Sequence, residues 1–350
     1  MTASPIVPIE KYMERCFELA ALGGKDTKSN PNVGSVIVFD GQIIGEGYHR
    51  YYGGPHAEVE AFQSISKSNL HKIKDATWYV SLEPCSHFGK TPPCAHKIVA
   101  EGCRKVVIGC LDPNPIVRGN GVKYLKDHGV AVVSPFCESK ANNIIAKFKV
   151  NLEKKPYIIL KWAQSKDNYI SKLGEQTWLT SQATGILTHK WRTEVDGILI
   201  GKSTALIDNP SLTSRHYLGQ NPLRIVLDTH LSLPDNLNIY RDDLPTWTVT
   251  QNTFQNDDIK EQLVVSDVRH LNNVLDLLYQ KGIFSIIVEG GAQVLKSFID
   301  QNLWHEARII KTKVLLKEGI PAPNVNGKLL DRIQIGDDDV FYIENPNQKN

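Results

Sequence analysis

The chain reads as two consecutive α/β domains, and three observations predict this. Its 350 residues exceed what one ordinary core holds and suggest about two domains. Short apolar runs of strand length alternate with segments of helical periodicity along both halves. A charged helix expected over 138–154 is closed by Glu153-Lys154-Lys155-Pro156, because the residue before a proline is biased away from helix, and an apolar strand restarts at Tyr157. The domains are therefore expected over 1–152 and 153–350.

In the first half, apolar residues recur at helical spacing over 11–22. Val33-Gly34-Ser35-Val36-Ile37-Val38-Phe39 then reads as a strand ending in an Asp40-Gly41 turn, with its hairpin partner over 42–48. A helix is expected over 57–67, a strand over 77–80 that runs into Glu83-Pro84-Cys85, and a helix over 94–100. A strand over 105–109, a helix over 122–128 and a short strand over 131–134 continue the alternation of a sheet covered by helices. The second half opens with the strand Tyr157-Ile158-Ile159-Leu160-Lys161-Trp162-Ala163. Ser181 caps a helix to Thr193, and Gly197-Ile198-Leu199-Ile200-Gly201 follows as a strand. Further strands are expected over 223–227, 246–250 and 285–289, with helices over 274–281 and 292–300. No internal repeat is visible, and the acidic, then polar tail beyond Gly336 is expected to fray.

Lysine and arginine number 40 against 38 acidic residues, a net charge of +2. Such a balance offers no field for a polyanion and argues against a nucleic-acid partner, while leaving room for a small anionic substrate. Residues 1–10 lack a basic stretch followed by an apolar one, and no run of about twenty apolar residues occurs, so a soluble, cytoplasmic protein with no membrane partner is expected. The 6 cysteines are too dispersed for a disulfide framework. Cys103 and Cys110 flank Val106-Val107-Ile108 and read as small buried hydrophobes.

The chemistry concentrates in Pro55-His56-Ala57-Glu58-Val59-Glu60 and in Pro84-Cys85-Ser86-His87-Phe88-Gly89-Lys90-Thr91-Pro92-Pro93-Cys94. One imidazole and two thiolates hold zinc tetrahedrally and leave a fourth position open, as a catalytic site requires. His56, Cys85 and Cys94 fill those places. Zinc in such a site lowers the pKa of water toward neutrality. A His-x-Glu spacing at a helix start sets Glu58 beside the metal as the proton carrier, the arrangement of zinc deaminases. Their usual cysteine spacing is Cys-x-x-Cys, whereas eight residues separate Cys85 from Cys94 here.

With this insertion the signature resembles that of the bifunctional riboflavin-biosynthesis deaminase/reductases of bacteria. Asn30-Pro31-Asn32-Val33-Gly34 is similar to that family's Asn-Pro-x-Val-Gly segment, and Asp112-Pro113-Asn114-Pro115 with Val117-Arg118-Gly119-Asn120-Gly121 to its substrate loop. In the second half the similar residues are Lys161-Trp162-Ala163, Trp178-Leu179-Thr180, His189 through Arg192, Gly201 with Thr204, Asp208-Asn209-Pro210-Ser211-Leu212 to Arg215, and Val288-Glu289-Gly290-Gly291. The resemblance covers nearly the whole chain. It implies an N-terminal cytidine-deaminase-like α/β/α domain and a C-terminal dihydrofolate-reductase-like α/β domain. The first would use Zn2+ to remove the 2-amino group of a diaminopyrimidinone carrying ribosylamine 5-phosphate; the second would use NADPH to reduce the ribosyl to a ribityl chain. It also implies a homo-oligomer joined through the reductase domain.

Set against those reactions, His87 and Lys90 would grip the substrate phosphate, unless their loop is merely solvated. Asn30 would hydrogen-bond the ring or serve as a turn residue before proline. Gly290 and Gly291, between a strand and a helix, would let backbone amides approach a cofactor phosphate, or form a plain turn. Glu289 would meet substrate hydroxyls or act as a cap. Arg192 and Arg215 would anchor phosphate, or be surface ion-pair members. Thr204, Asp208 and Ala163 would face the cofactor and Leu212 the substrate. Trp178 would pack on the cofactor or in the core. Lys161 would place a cation near the carbon being reduced, or snorkel.

The chain departs from the family pattern at Ser165-Lys166-Asp167-Asn168, where Ser-Leu-Asp-Gly is usual, and at Asn209, which replaces an acid. Asn tolerates positive φ, so the first turn can survive. Trp304-His305-Glu306 also differs from the common Asp-Glu ending of its helix. Two readings of other classes stay open. A nucleobase or RNA-editing deaminase with an RNA-binding second half would require a clustered basic surface and the short cysteine spacing. A non-catalytic scaffold in the second half would give deamination without NADPH oxidation.

Overall fold

Residues 6–88, 92–252 and 260–348 are described by the computed structural model, and the chain divides into two units, Met1–Glu153 and Lys154–Lys349. The first contains α1 (Glu10–Ala21), β1 (Gly34–Phe39), β2 (Gln42–Tyr48), α2 (Ala57–Gln63), β3 (Thr77–Leu82), α3 (Cys94–Ala100), β4 (Lys105–Cys110), α4 (Asn120–Asp127), β5 (Ala131–Val133), α5 (Glu138–Ile144) and α6 (Ala146–Leu152). Asp40 and Gly41 both take positive φ, 47° and 72°, the backbone a two-residue hairpin needs to match strand twist. The sheet order is β2-β1-β3-β4-β5, antiparallel from β2 to β3 and parallel from β3 to β5.

The core of this unit joins Met13, Phe17, Ile37, Trp78, Val80, Ile98, Ile108 and Leu125, and Cys103 and Cys110 are buried with them. Trp78 is fully buried and its indole N–H donates to Ser35 Oγ at 2.7 Å, so its polar atom is satisfied. The helix expected over 57–67 stops at Gln63. Ser64 Oγ donates to Ala61 O and accepts from Glu46 N, both at 2.8 Å, tying the last turn to β2, and a 3-10 segment Lys67–Asp75 follows. The helix expected over 138–154 is broken at Ile145 (φ −96°, ψ 11°) into α5 and α6.

The second unit contains β6 (Tyr157–Gln164), β7 (Tyr169–Ser171), α7 (Gln182–Thr193), β8 (Gly197–Gly201), α8 (Lys202–Asp208), β9 (Leu223–Leu227), β10 (Thr246–Thr250) and β11 (Lys260–Val264). It continues with α9 (Leu271–Gln280), β12 (Ser285–Val288), α10 (Ala292–Asp300), β13 (Glu306–Lys311), β14 (Ile320–Pro321), β15 (Lys328–Ile335) and β16 (Asp338–Glu344). The main sheet has the order β11-β10-β9-β8-β12-β6-β13-β16-β15, parallel from β11 to β13 and antiparallel beyond.

The near-continuous apolar runs of β6, β8 and β12 follow from this topology, because interior parallel strands are buried on both faces. Ile158, Leu160, Leu199, Ile286 and Val288 pack on one side, and Ile159, Ile198, Ile200 and Ile287 on the other.

The tail beyond Gly336 does not fray over its strand, Asp338–Glu344. It forms β16, held between β13 and β15. Its charges mask an alternation in which Val340 and Tyr342 pack on one face and Phe341 and Ile343 on the other. Asp338 is itself buried and accepts from Ser181 N (3.0 Å) and Thr184 Oγ1 (2.6 Å) at the start of α7. Among the described residues no helix is long and apolar enough to cross a membrane.

Candidate active sites

In the first unit His56 stands at the N-cap of α2, Cys85 follows β3 and Cys94 opens α3. His56 Nδ1 lies 3.6 Å from Cys85 Sγ and 3.3 Å from Cys94 Sγ. Zinc bonds of about 2.1 Å to nitrogen and about 2.3 Å to sulfur, at a tetrahedral angle, put N and S about 3.6 Å apart. The trio therefore fits a zinc ion by spacing as well as by donor chemistry, and all three donor atoms lie within 4.8 Å of one another. Cys94 N also donates to Cys85 Sγ at 3.3 Å. Hydrogen bonds from Cys94 and His56 favour the Cys85 thiolate, and the bond to Cys85 holds the proton on His56. Zinc must displace these protons to bind.

Glu58, in the first turn of α2, is 4% exposed, and burial pushes its carboxyl up against the opposing pull of His56. Such a carboxyl takes and returns a proton near neutral pH more readily than an exposed one. Asn30 reaches the site through a residue that sequence reasoning missed. Its Nδ2 donates to His49 Nε2 at 3.1 Å, and His49 Nδ1 donates to Pro55 O at 2.9 Å. Burial keeps His49 neutral, as this pairing requires, and its ring meets His56 edge-on at 5.8 Å. A single histidine after a strand gives no such signal in sequence. His87 is exposed, and Lys90 lies outside the described residues. Asp112, which the resemblance placed in a substrate loop without a role of its own, is buried; burial, with the charges of Glu83 and Cys85 adding to it, pushes its carboxyl up to about 6.

In the second unit Lys161, Ala163, Trp178, Arg192, Thr204, Asp208, Leu212, Arg215, Glu289, Gly290 and Gly291 all line one cavity of about 640 Å3. Parallel pairing explains the convergence. Leu160 lies opposite Val288 and Val288 opposite Leu199, so Lys161, Glu289 and the Ile200–Gly201 end of β8 leave one edge of the sheet together. Ligands bind at that edge in open α/β sheets.

Glu289 is 8% exposed in its side chain and accepts from Arg192 Nε and Nη2, each at 2.9 Å, and from Lys161 Nζ at 3.5 Å. Burial opposes its charge, but Arg192 and Lys161 outweigh burial and hold the carboxyl down at about 2. Burial conversely draws the Lys161 ammonium down, against the attraction of Glu289. Arg192 is thus an ion-pair member, but inside the cavity, and its Nη1 donates to Thr213 O at 2.8 Å. Arg215 is exposed, with Nη1 3.4 Å from Thr213 Oγ1.

Trp178 is 77% exposed, which removes the core reading and leaves its indole at the cavity rim. Thr204 Oγ1 accepts from Gly291 N at 2.7 Å, at the start of α10, whose N-cap Gly291 supplies no side-chain cap. A Cβ at Gly290 would come within 3.1 Å of Val294 Cβ and 3.2 Å of Gly201 N. Asp208 ends α8 and burial pushes its carboxyl up; its carbonyl accepts from Gln176 Nε2 at 3.0 Å. Leu212 is buried with φ 55°. Cavity size, the start of α10 and the glycine pair suit a dinucleotide phosphate.

Two of the three departures from the resembled pattern have an asparagine in left-handed backbone. Asn168 has φ 64° and its N–H closes a turn onto Ser165 O at 3.0 Å. Asn209 (φ 40°) ends α8, and its Oδ1 accepts from Asn238 N at 2.7 Å. At Trp304-His305-Glu306, Trp304 is buried and His305 Nδ1 accepts from Ile158 N at 3.0 Å, which fixes the start of β6.

Two family models match stretches of this chain. Residues 7–110 match the model of the cytidine and deoxycytidylate deaminase zinc-binding region, and residues 156–316 match that of the RibD C-terminal domain. The riboflavin biosynthesis protein RibD of Bacillus amyloliquefaciens is 37% identical over 90% of this chain and 87% of its own. That of Aquifex aeolicus is 35% identical over 89% and 88%. A crystal structure of a diaminohydroxyphosphoribosylaminopyrimidine deaminase/5-amino-6-(5-phosphoribosylamino)uracil reductase from Thermotoga maritima superposes with a TM-score of 0.87 at 31% identity, covering 96% of this chain and 98% of that one. Acinetobacter baumannii RibD gives 0.81 at 32% identity over the same shares.

Proposed function

The chain belongs to the RibD family of bifunctional riboflavin-biosynthesis deaminase/reductases, and from that premise we propose two consecutive reactions on one phosphorylated pyrimidine. The first unit deaminates 2,5-diamino-6-ribosylamino-4(3H)-pyrimidinone 5′-phosphate; the second reduces the ribosyl chain of the product with NADPH. The observation that carries the reading is the pairing, in one chain, of a His/Cys/Cys trio at zinc spacing with a cavity built round Lys161, Arg192 and Glu289.

In the first unit His56, Cys85 and Cys94 hold the metal. Zn2+, when bound, supplies the Lewis acidity that makes water a nucleophile near neutral pH. Glu58 takes the proton from that water and returns it to the departing ammonia, a cycle its buried carboxyl favours. Asn30, oriented through His49, hydrogen-bonds the ring, and His87 and Lys90 receive the phosphate.

In the second unit NADPH, when bound, would supply the hydride that the ribosyl reduction needs. Gly290 and Gly291 receive its phosphate at α10, with Thr204, Asp208, Ala163 and Trp178 along the remainder. Glu289, held by Arg192, accepts from substrate hydroxyls. Lys161, whose proton burial loosens, supplies the proton that the opening ribosyl oxygen takes up. Arg215, free of a buried partner at the rim, meets the substrate phosphate together with Arg192, beside Leu212. A cytoplasmic enzyme that self-associates through the reductase unit completes the reading.

The test follows ammonia release and loss of nicotinamide absorbance in one reaction of zinc-loaded protein, the diaminopyrimidinone phosphate and NADPH. Ammonia followed by equimolar NADPH oxidation is expected. Ammonia without oxidation would reduce the second unit to a scaffold, and neither signal would overturn both assignments.

A further inference from the structure

Glu83 is a carboxylate with 3% exposure whose hydrogen bonds run to backbone rather than to an ion-pair partner. Its Oε2 accepts from Asp112 N at 3.1 Å and from Gly119 N at 2.9 Å, and its Oε1 from Val122 N at 3.1 Å. Those amides bracket segment 112–119 at both ends and include the first turn of α4. The N-cap of α4 is Gly119, at φ 80°, which has no side chain to satisfy the helix's free amides. Glu83 supplies that acceptor from across the sheet.

Packing reinforces the link. A Cβ at Gly121 would come within 2.1 Å of Pro84 O and 3.1 Å of Glu83 Cγ, so α4 rests on the Glu83-Pro84 backbone itself. Parallel pairing of Leu82 with Cys110 sends Cys85 and segment 112–119 out of the same sheet edge. Asp112 in turn accepts from Asn114 N at 2.8 Å, so a shift of Asp112 carries Asn114 with it.

We propose that Glu83 is a positioning residue for deamination, holding the 112–119 loop in register with the His56, Cys85 and Cys94 site so that Asp112 and Asn114 face the bound substrate. The inference rests on the deaminase reading of the first unit. It assigns Glu83 to neither the metal nor the reacting atoms, because both of its oxygens already serve backbone amides.

The test compares Glu83→Gln and Glu83→Asp in the full, zinc-loaded chain. Glutamine keeps the shape, but its amide nitrogen accepts no hydrogen bond, so at least one of the three N–H groups loses its acceptor. Aspartate keeps the charge with a shorter reach. Zinc per chain and NADPH oxidation of pre-deaminated substrate are expected to stay unchanged. For Glu83→Gln the deamination KM should rise about tenfold while kcat changes less than about threefold, with Glu83→Asp between it and the parent. Amide hydrogen exchange at Asp112, Gly119 and Val122 should quicken. A KM within about twofold of the parent overturns the proposal, as does unchanged exchange. Loss of zinc, or a kcat loss matching the KM change, also overturns it, because Glu83 would then act on the metal or the chemistry. Parent protein that releases no ammonia would sink the deaminase reading, whereas the exchange data judge the anchoring of the loop independently.

Discussion

Glu289→Gln removes the one negative charge that Arg192 and Lys161 share in the reductase cavity, with hydrogen bonds at 2.9 Å, 2.9 Å and 3.5 Å. Glutamine keeps the volume and leaves two cations facing one another in a buried site. Removing one partner of a buried pair costs about 3–5 kcal/mol. The depressed pKa of Glu289 leads to a similar figure. Burial works against the carboxylate, but Arg192 and Lys161 prevail and bring it from its ordinary 4.5 to about 2. At about 1.4 kcal/mol per pH unit that depression is worth about 3 kcal/mol.

The folded-state pKa lies below the unfolded one, so the unfolded chain takes up the proton first as pH falls. The stabilisation is therefore complete above 4.5 and is lost as pH falls from there toward 2. Urea unfolding of the second unit can be followed by tryptophan emission, since Trp78 is the only tryptophan of the first unit. The variant should be less stable than the parent by about 3 kcal/mol at neutral pH, and the gap should narrow by about 1.4 kcal/mol at about pH 3.5. Its reductase kcat/KM should fall roughly 10- to 100-fold, the value of a hydrogen bond to a charged group. A stability gap below about 1 kcal/mol, or one that ignores pH, would refute the claim that Glu289 is held ionised by these two cations.

Glu58→Gln should lower deamination kcat by about 10²–10⁴-fold at unchanged zinc content, with NADPH oxidation of pre-deaminated substrate intact; parallel loss of both activities would count against its assigned proton transfer. Stripping the metal with a chelator should abolish ammonia release while leaving that oxidation in place, and restored zinc should recover it; ammonia release from metal-free protein would exclude the trio as the catalytic centre. Ending the chain at Gly336 removes β16 from between β13 and β15, so the second unit should fail to unfold cooperatively in urea, while a truncated chain with the parent's transition would show that the strand contributes nothing.

Much of this protein was legible in order of residues. The candidate zinc donors are legible from chemistry, since an imidazole and two thiolates at a helix start and a strand end suit the ion, and those residues stand in sequence as His56, Cys85 and Cys94. Strands β8, β9 and β10 carry apolar or β-branched runs, and α7 opens at its own cap, Ser181, whose side chain accepts from Thr184 N. Where local signals conflicted with packing, packing prevailed. The acidic residues of β16 resemble a fraying tail until β13 and β15 pair with both of its edges. Departures at Asn168 and Asn209 look damaging beside a family pattern, yet each occupies the left-handed backbone that asparagine tolerates.

The sequence by itself determined the α/β alternation, through periodicity, and a His/Cys/Cys trio whose donor chemistry suits zinc, through side-chain type, while the residues that line the cavity of the second unit were legible in it only through resemblance to a known family. Only the tertiary structure decided that Arg192 grips Glu289, 97 residues away, that His49 orients Asn30, and that Glu83 gathers amides 29, 36 and 39 residues distant. It likewise decided that Trp178 stands at a rim rather than in a core. The reason is physical: a buried polar group must find its partner wherever the fold brings one, and no local pattern records which distant donor that will be.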